Sequence, residues 1–445
     1  MITKDTTAWG GYPKRTADVV GIRQSKDILP YLLKGEFGIP RGNGRSYGDA
    51  ALAPIIWHSL HRHHLLAFDA TAGILTAEAG VLLQDILEFI VPKGWFLPVT
   101  PGTRYITLGG AVAADVHGKN HHAQGGFGDW VLEFHLLTEA GKIMVCSPTE
   151  NSKLFYLTLG GMGLTGFILQ VSFQLIPIQT AFIQQQNYKA PNLEILCDLL
   201  ETHHHATYSV AWTDCIAGGK HLGRSVLMIG EHALELPKSY ANHNPLNRNL
   251  PGSLSIPAFA PAGFLNKLNI QIFNELYYYK SGNKSLEHFT PLDAFFYPLD
   301  RLLNWNRLYG KAGFVQYQMV VPKDQGRKAL RDILTYIQQS KFPSFLAVLK
   351  TMGSGTGVLS FPIEGYTLAL DFPIRPGLLA WMEELDKRVI EYGGRVYLAK
   401  DARMSAESFQ GMYGNAATIF RQELKRFAPQ GIWQSDLSRR LGVSG

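Results

Sequence analysis

The stretch 109-GGAVAADVHGKNHHAQGGFGDW-130 crowds histidines and a lysine among glycines. A metal, an anion and a bulky ligand compete for it. His117 and His121 stand four apart with His122 next to them, but zinc would want a helix and a further donor. The intervening Gly118-Lys119-Asn120 favours a loop, and no HExxH or cysteine pair accompanies it. Glycines that flank such a loop instead let the backbone approach a ligand closely, and free N–H groups suit an anion. Two upstream segments share this character, 40-PRGNGRSYGD-49 and 100-TPGTRYITLGG-110. Downstream, 161-GMGLTG-166 matches GxGxxG literally, but a helical pattern precedes it and an alternating strand pattern follows. A dinucleotide fingerprint needs the reverse order. Three loops in one region without that fingerprint point to one extended ligand wrapped by several loops, and a flavin dinucleotide fits.

Around these loops, 445 residues with 46% hydrophobic composition leave room for two or three domains. No window approaches a membrane span and the first residues lack the apolar core of a secretory signal, so the expectation is a cytoplasmic protein. Cys146, Cys197 and Cys215 are too scattered for a disulfide framework or a zinc knuckle. The net charge is +6 and the pI about 9.0, with Lys and Arg spread along the chain. That favours an anionic ligand or membrane surface over nucleic acid. The clusters 58-HSLHRHH-64 and 203-HHH-205 read as solvated surface.

Residues 25–175 alternate short helices and strands, with SKDILPYLLKGEF and VLLQDILEFIVPKG helical and HHLLAFDATAGILTAEAG strand-like, so an α+β fold is expected. Residues 236–290 read as a long, partly mobile excursion rich in Pro, Asn, Ser and Gly. Its SLSIPAFAPAGFLNKLNIQIF is too apolar for a solvated loop and too interrupted for a spanning helix, which leaves a membrane-surface contact or a lid. Regular structure resumes as strand, helix, strand, strand, helix from GFVQYQMVVP to LLAWMEELDKRVIEYGG, a sheet covered by helices.

The order RGNGRSYGD, TPGTRYITLGGAVAADVHGKNHH, LGGMGLTGFI resembles the FAD-binding domain of the vanillyl-alcohol-oxidase type flavoproteins. The forms VHGKNHH, GFVQYQ, RVYLAKDAR and SDLSRRL resemble one branch of it, the decaprenylphosphoryl-β-D-ribose 2′-oxidases, the FAD subunit of a ribose-to-arabinose epimerase. The resemblance runs nearly end to end and is weakest over 236–290. It implies a two-subdomain FAD-binding domain over 1–179, an α+β substrate domain over 180–394 and a segment 395–445 that returns to the FAD domain. It further implies non-covalent FAD held by Arg41, Gly42, Asn43, Gly44, Arg45, Ser46 and Tyr47 on one wall. Gly102, Thr103, Gly109, Gly110, His117, Gly118, Asn120 and His121 form the other, with Gly166 nearby. His117 matches the position that carries a covalent flavin bond in some relatives.

For the chemistry, the resemblance makes Lys400 in 395-RVYLAKDAR-403 the essential lysine, with Tyr47 and Gln318 beside it. A lysine in so apolar a run, read here as a strand, needs an anion to offset its desolvation. Gln316 and Gln318 alternate with Tyr317, so both amides share one strand face. Lys350 matches a phosphate contact and Trp212 an aromatic wall, and Thr367 and Ala369 fall at substrate positions where well-known relatives carry Asn and Cys. The tyrosine expected in AFFYPLD falls at Phe296. The implied reaction oxidises a secondary sugar alcohol, the C2 hydroxyl of a polyprenylphosphoryl ribose, by hydride transfer to flavin N5. A separate NAD(P)H-dependent reductase then completes the epimerisation. The rivals are an aldonolactone or other soluble-sugar oxidase and a non-catalytic carbohydrate- or lipid-binding protein.

Overall fold

Three large sheets build most of the molecule, and the glycine loops lie where they meet. The computed structural model describes residues 1–443 except 237, 241, 249–251, 253, 262 and 282–286. The first sheet runs in the order Ile2–Thr7, Lys14–Gly21, Ile55–His58, Gly38–Arg41, antiparallel for the first pair and parallel for the other two. Gly38–Arg41 ends in the 42–49 loop, so this loop opens at the carboxyl end of a parallel strand, where ligands collect in open sheets. The second sheet is antiparallel, ordered Leu65–Asp69, Ile74–Glu78, Phe167–Gln174, Val131–Leu137, Ile143–Cys146. Helix Leu83–Ile90 carries Leu83, Ile86, Leu87 and Ile90 on one buried face, the spacing its sequence announced. Helix Ser152–Thr158 precedes the 161–166 glycines and strand Phe167–Gln174 follows them, the order that rules out a dinucleotide fingerprint there.

The third sheet has eight strands, all antiparallel: His288–Pro291, Phe182–Ala190, Ser225–His232, Tyr208–Thr213, Ala347–Met352, Gly365–Pro373, Phe314–Pro322 and Arg395–Val396. Helices Leu193–Thr202, Lys323–Gln339 and Leu378–Glu391 bury apolar rows such as Ile333, Leu334 and Ile337 in the main core. Alternate residues of the central strands project the other way, toward the glycine loops, because side chains alternate along a strand.

The end of the chain closes the structure. Arg395–Val396 is the edge strand of the third sheet, and the chain then crosses to the first sheet, where Gly38 N donates to Ile432 O at 3.0 Å and Gln434 N to Gly38 O at 2.8 Å. Arg440 pairs with Asp49 at 2.7 Å and with Asp401 at 2.9 Å, tying this segment to the 42–49 loop.

Three local readings change. SKDILPYLLKGEF forms only a 3-10 turn over Ser25–Asp27 and the five-residue helix Leu29–Leu33. One helical turn, His121–Gln124, stands where a loop was expected. The excursion holds a fourteen-residue helix, Lys267–Lys280, whose N-cap Asn266 accepts a hydrogen bond from Asn269 N at 2.9 Å.

Candidate active site

The first wall is made of contacts only glycine permits. A Cβ on Gly42 would lie 2.1 Å from Thr107 Oγ1, and one on Gly44, whose φ is +64°, would lie 2.3 Å from Arg41 Nη2. Asn43 Nδ2 donates to Tyr105 O at 2.7 Å, so the 42–47 and 102–110 loops are stitched together. The Arg41 guanidinium donates to Thr7 O at 2.8 Å and Ala51 O at 3.0 Å, and burial lowers its pKa to about 10. It therefore shapes the loop from within. Arg45 lies 3.9 Å above the Trp9 ring, and its buried Nε has no partner.

The facing wall comes from the third sheet. Gln318 Nε2 donates to His117 Nε2 at 2.8 Å and to Thr367 Oγ1 at 3.2 Å. His117 thus accepts at Nε2, carries its hydrogen on Nδ1 and is neutral, and that Nδ1 is buried without a partner. Burial, reinforced by the charge of Lys350, holds its pKa well below the ordinary value. Lys400 sits on a turn rather than a strand, its N donating to Tyr397 O at 2.9 Å and its Nζ 3.8 Å over the Tyr47 ring. Tyr47 N donates to Ala399 O at 3.0 Å, so the glycine loop grips that turn directly.

Electrostatics distinguish the groups. Burial pushes Lys400 down to about 7, with Asp371 pulling up and Lys350 pushing down. Lys350 is lowered to about 8 by burial, and its Nζ lies 3.5 Å from Gly118 O. Burial and then the charge of Asp371 raise Tyr47 well above its usual value, so the phenol keeps its proton. Asp371 is itself buried and raised to about 6 by that burial, although Gln316 Nε2 donates to it at 2.6 Å and the Tyr309 hydroxyl at 3.0 Å. Among the described residues neither Lys350 nor Lys400 forms an ion pair, so the wall presents a buried cation, Lys350, and an amine near its own neutral point, Lys400.

Between the walls lies a cavity of about 500 Å³. Of the residues singled out from sequence, Arg41 to Tyr47, Gly102, Thr103, Gly109, Gly110, His117, Gly166, Gln316, Gln318, Lys350, Ala369 and Lys400 line it. Five stand behind the lining. Asn120 Nδ2 donates to Pro98 O at 2.8 Å, His121 Nδ1 accepts from Gly353 N at 3.1 Å, and the Gly118 carbonyl faces Lys350. Thr367 acts through Gln318, and Trp212 is buried against Tyr277 with ring centroids 4.6 Å apart. Phe296 packs in the core on Tyr208, and Tyr297 bonds Thr100 Oγ1 at 2.6 Å. In that segment Leu299 and Asp300 line the cavity, Asp300 accepting from Arg104 N at 2.9 Å. Tyr397 also lines the cavity, its hydroxyl donating to Ala114 O at 2.7 Å. Asp371 could have been found from parity, since it lies opposite Gln316 as Ala369 lies opposite Gln318. Among the described residues no group of three or more metal-ligating side chains exists.

The unpartnered Arg45 Nε and His117 Nδ1, together with the glycine-lined wall, fit a large anionic heteroaromatic cofactor. Residues 35–147 match a family model described as an FAD binding domain. The decaprenylphosphoryl-β-D-ribose oxidase of Mycolicibacterium smegmatis is 38% identical over 99% of this chain and 97% of its own length. The L-gulonolactone oxidase of Scyliorhinus torazame is 30% identical over 36% of each chain. Among solved structures, Physcomitrella patens BBE-like 1 aligns with a TM-score of 0.64 at 13% identity, covering 94% of this chain and 89% of that one, a likeness of fold.

Proposed function

The chain belongs to the decaprenylphosphoryl-β-D-ribose oxidase family and is an FAD-dependent oxidoreductase, and from that premise we propose that it oxidises the C2 hydroxyl of a polyprenylphosphoryl ribose to the ketone. The observation that carries this reading is the pair of buried lysines without an ion pair among the described residues, Lys350 and Lys400, on a cavity wall that also presents the amides Gln316 and Gln318. A buried cation, here Lys350, calls for an anion. A sugar phosphodiester supplies one, whereas a neutral lactone does not.

Bound FAD supplies the two-electron acceptor that takes hydride from the sugar carbon. The protein's own task is to place the sugar and take its hydroxyl proton. Tyr47 holds its proton, His117 is engaged at Nε2 by Gln318 with its pKa held well below the ordinary value, and Asp300 is bonded by Arg104 N, so Lys400, near 7 and against the Tyr47 ring, is the proton acceptor of this reading. Once protonated it is an ammonium inside the cavity as negative charge develops there. Gln316 and Gln318 offer amides to the sugar hydroxyls, and Lys350 holds the phosphate. FAD is non-covalent, so acid precipitation should leave the yellow colour in the supernatant. The keto-sugar passes to a separate NAD(P)H-dependent reductase.

Anaerobic mixing with polyprenylphosphoryl ribose, its arabinose epimer and L-gulonolactone tests the assignment. Bleaching of the flavin by the phosphoryl ribose is expected. Bleaching by the lactone alone would replace this reading with that of a soluble-sugar oxidase.

A further inference from the structure

The helix Lys267–Lys280 is built inside out. Its buried residues are Ile270 and Asn274, with Asn274 Nδ2 donating to Asp214 Oδ1 at 2.7 Å. Its outward row, Leu268, Ile272, Leu276 and Tyr279, is exposed by 65%, 52%, 66% and 71%. A helix solvated by water alone carries the opposite pattern. The one acid of this helix, Glu275, is bound by Arg224 at 2.6 Å, so among the described residues the charges without an ion pair are Lys267 and Lys280 at its two ends. The preceding segment adds exposed Phe259 and Phe264. That segment also reaches the site: Leu254–Ser255 pairs with Leu302–Leu303, and Leu302 and Leu303 line the cavity.

We propose that the Leu268, Ile272, Leu276 and Tyr279 row, with Phe259 and Phe264, docks the enzyme on an anionic lipid bilayer and brings the cavity mouth at Leu302–Leu303 to the lipid. This rests on the reading of a lipid-linked substrate, and it names the surface from which that substrate is drawn. The row suits the boundary between headgroups and acyl chains, where apolar side chains bury and lysines at the helix ends reach phosphates. Two other occupants fit less well. A second copy would set Lys267 and Lys280 against the same lysines in either helix orientation, and one row of side chains is narrow against the roughly 800 Å² per partner of a stable interface. Closure of the row over the cavity would require breaking the Asn274–Asp214 and Glu275–Arg224 bonds that fix the helix face.

The test is partitioning of the holoenzyme onto phosphatidylcholine vesicles with and without phosphatidylglycerol. The variants are the triple Leu268→Gln/Ile272→Gln/Leu276→Gln and, as a control exposed hydrophobic elsewhere, Leu33→Gln. Binding that rises with phosphatidylglycerol and falls with salt is expected for the unmodified chain and the control. The triple variant should partition about tenfold less or weaker still. Binding of the triple variant equal to that of the unmodified chain would overturn the proposal. So would no binding at low salt, or a dimer in solution that the triple variant dissociates. Flavin reduction by a short-prenyl, water-soluble phosphoryl ribose separates the two readings. If vesicle binding holds and reduction fails, the substrate is wrong and the surface stands; if reduction holds and binding fails, only the surface falls.

Discussion

The loops that line the cavity and the segment that lies outside it, 254–281, are both irregular in sequence and rich in small or apolar residues, yet they differ in what holds them. Each informative glycine of the loops is fixed by a backbone or side-chain atom a Cβ would strike, as Gly42 is by Thr107 and Gly44 by Arg41. The outer segment is anchored by Leu265 and Ile270 in a small core with Trp305 and Phe314 and by polar bonds such as Asn274 to Asp214, and it leaves the row Leu268, Ile272, Leu276 and Tyr279 facing out. Tight steric constraint marks the loops around the cavity, whereas unspent apolar surface marks the segment proposed to meet the bilayer. The predictions below attack that contrast from the catalytic side outward.

The largest effect is expected from Lys400→Ala. It removes the group proposed to accept the hydroxyl proton while the Tyr47 ring and the glycine loops remain, so FAD should stay bound. Rapid anaerobic mixing should show flavin reduction slowed about a hundredfold or more. Reduction at the unmodified rate would remove Lys400 from the chemistry.

Gly48→Ala tests whether steric constraint itself is functional. A Cβ there would lie 1.5 Å from Asp401 O, in the turn that follows Lys400, and backbone cannot yield as a side-chain tip can. Overpacking of this kind destabilises by about 1–3 kcal/mol. Slower flavin reduction and weaker FAD retention should accompany a lowered melting temperature. Equal retention and rate would mean that the loop and turn move freely of each other.

The pH dependence follows from the lysines. In the free enzyme Lys400 must be neutral and Lys350 charged, so the second-order rate constant for flavin reduction should rise as pH climbs through about 7 and fall beyond about 8. Asp371 is the anion that raises Lys400. Asp371→Asn should therefore move the acid limb to lower pH, on the order of one unit, and leave the alkaline limb in place. A uniform loss of amplitude without that movement would give Asp371 a packing role only.

How far the sequence could be read follows the same contrast. The loops 40–49 and 100–124 were legible because glycine, arginine and histidine at short spacing have few other uses, and Gln316 with Gln318 because a strand repeats every two residues. Asp300 was not, since nothing local reveals which carboxylate a distant loop will bury beside a cavity, and Asp371 was reachable only by carrying the parity of Gln316 and Gln318 across to the neighbouring strand. Trp212 was assigned a wall, but the helix Lys267–Lys280 brings Tyr277 against it, a contact separated by more than sixty residues. That helix escaped notice because its buried row is partly polar, Asn274 on Asp214, and its apolar row faces outward. Periodicity finds a helix when the apolar stripe faces the core, and here it does not.

The smallest effects test that inversion directly, by comparing two substitutions one turn apart or less. Asn274→Leu places an apolar side chain in the buried row and strips Asp214 Oδ1 of one donor, although Ile216 N at 2.9 Å and Ala217 N at 3.2 Å still bond that oxygen. Loss of one hydrogen bond to a buried carboxylate should destabilise by about 1–3 kcal/mol. Ile272→Ser removes an exposed hydrophobic from the outward row, so chemical denaturation should shift by no more than about 0.5 kcal/mol. An ordinary amphipathic helix would give the reverse ranking, the isoleucine mattering and the asparagine not. If Ile272→Ser proves the more destabilising, the outward row packs against protein in solution, and the contrast between constrained loops and a free apolar surface fails at its outer end.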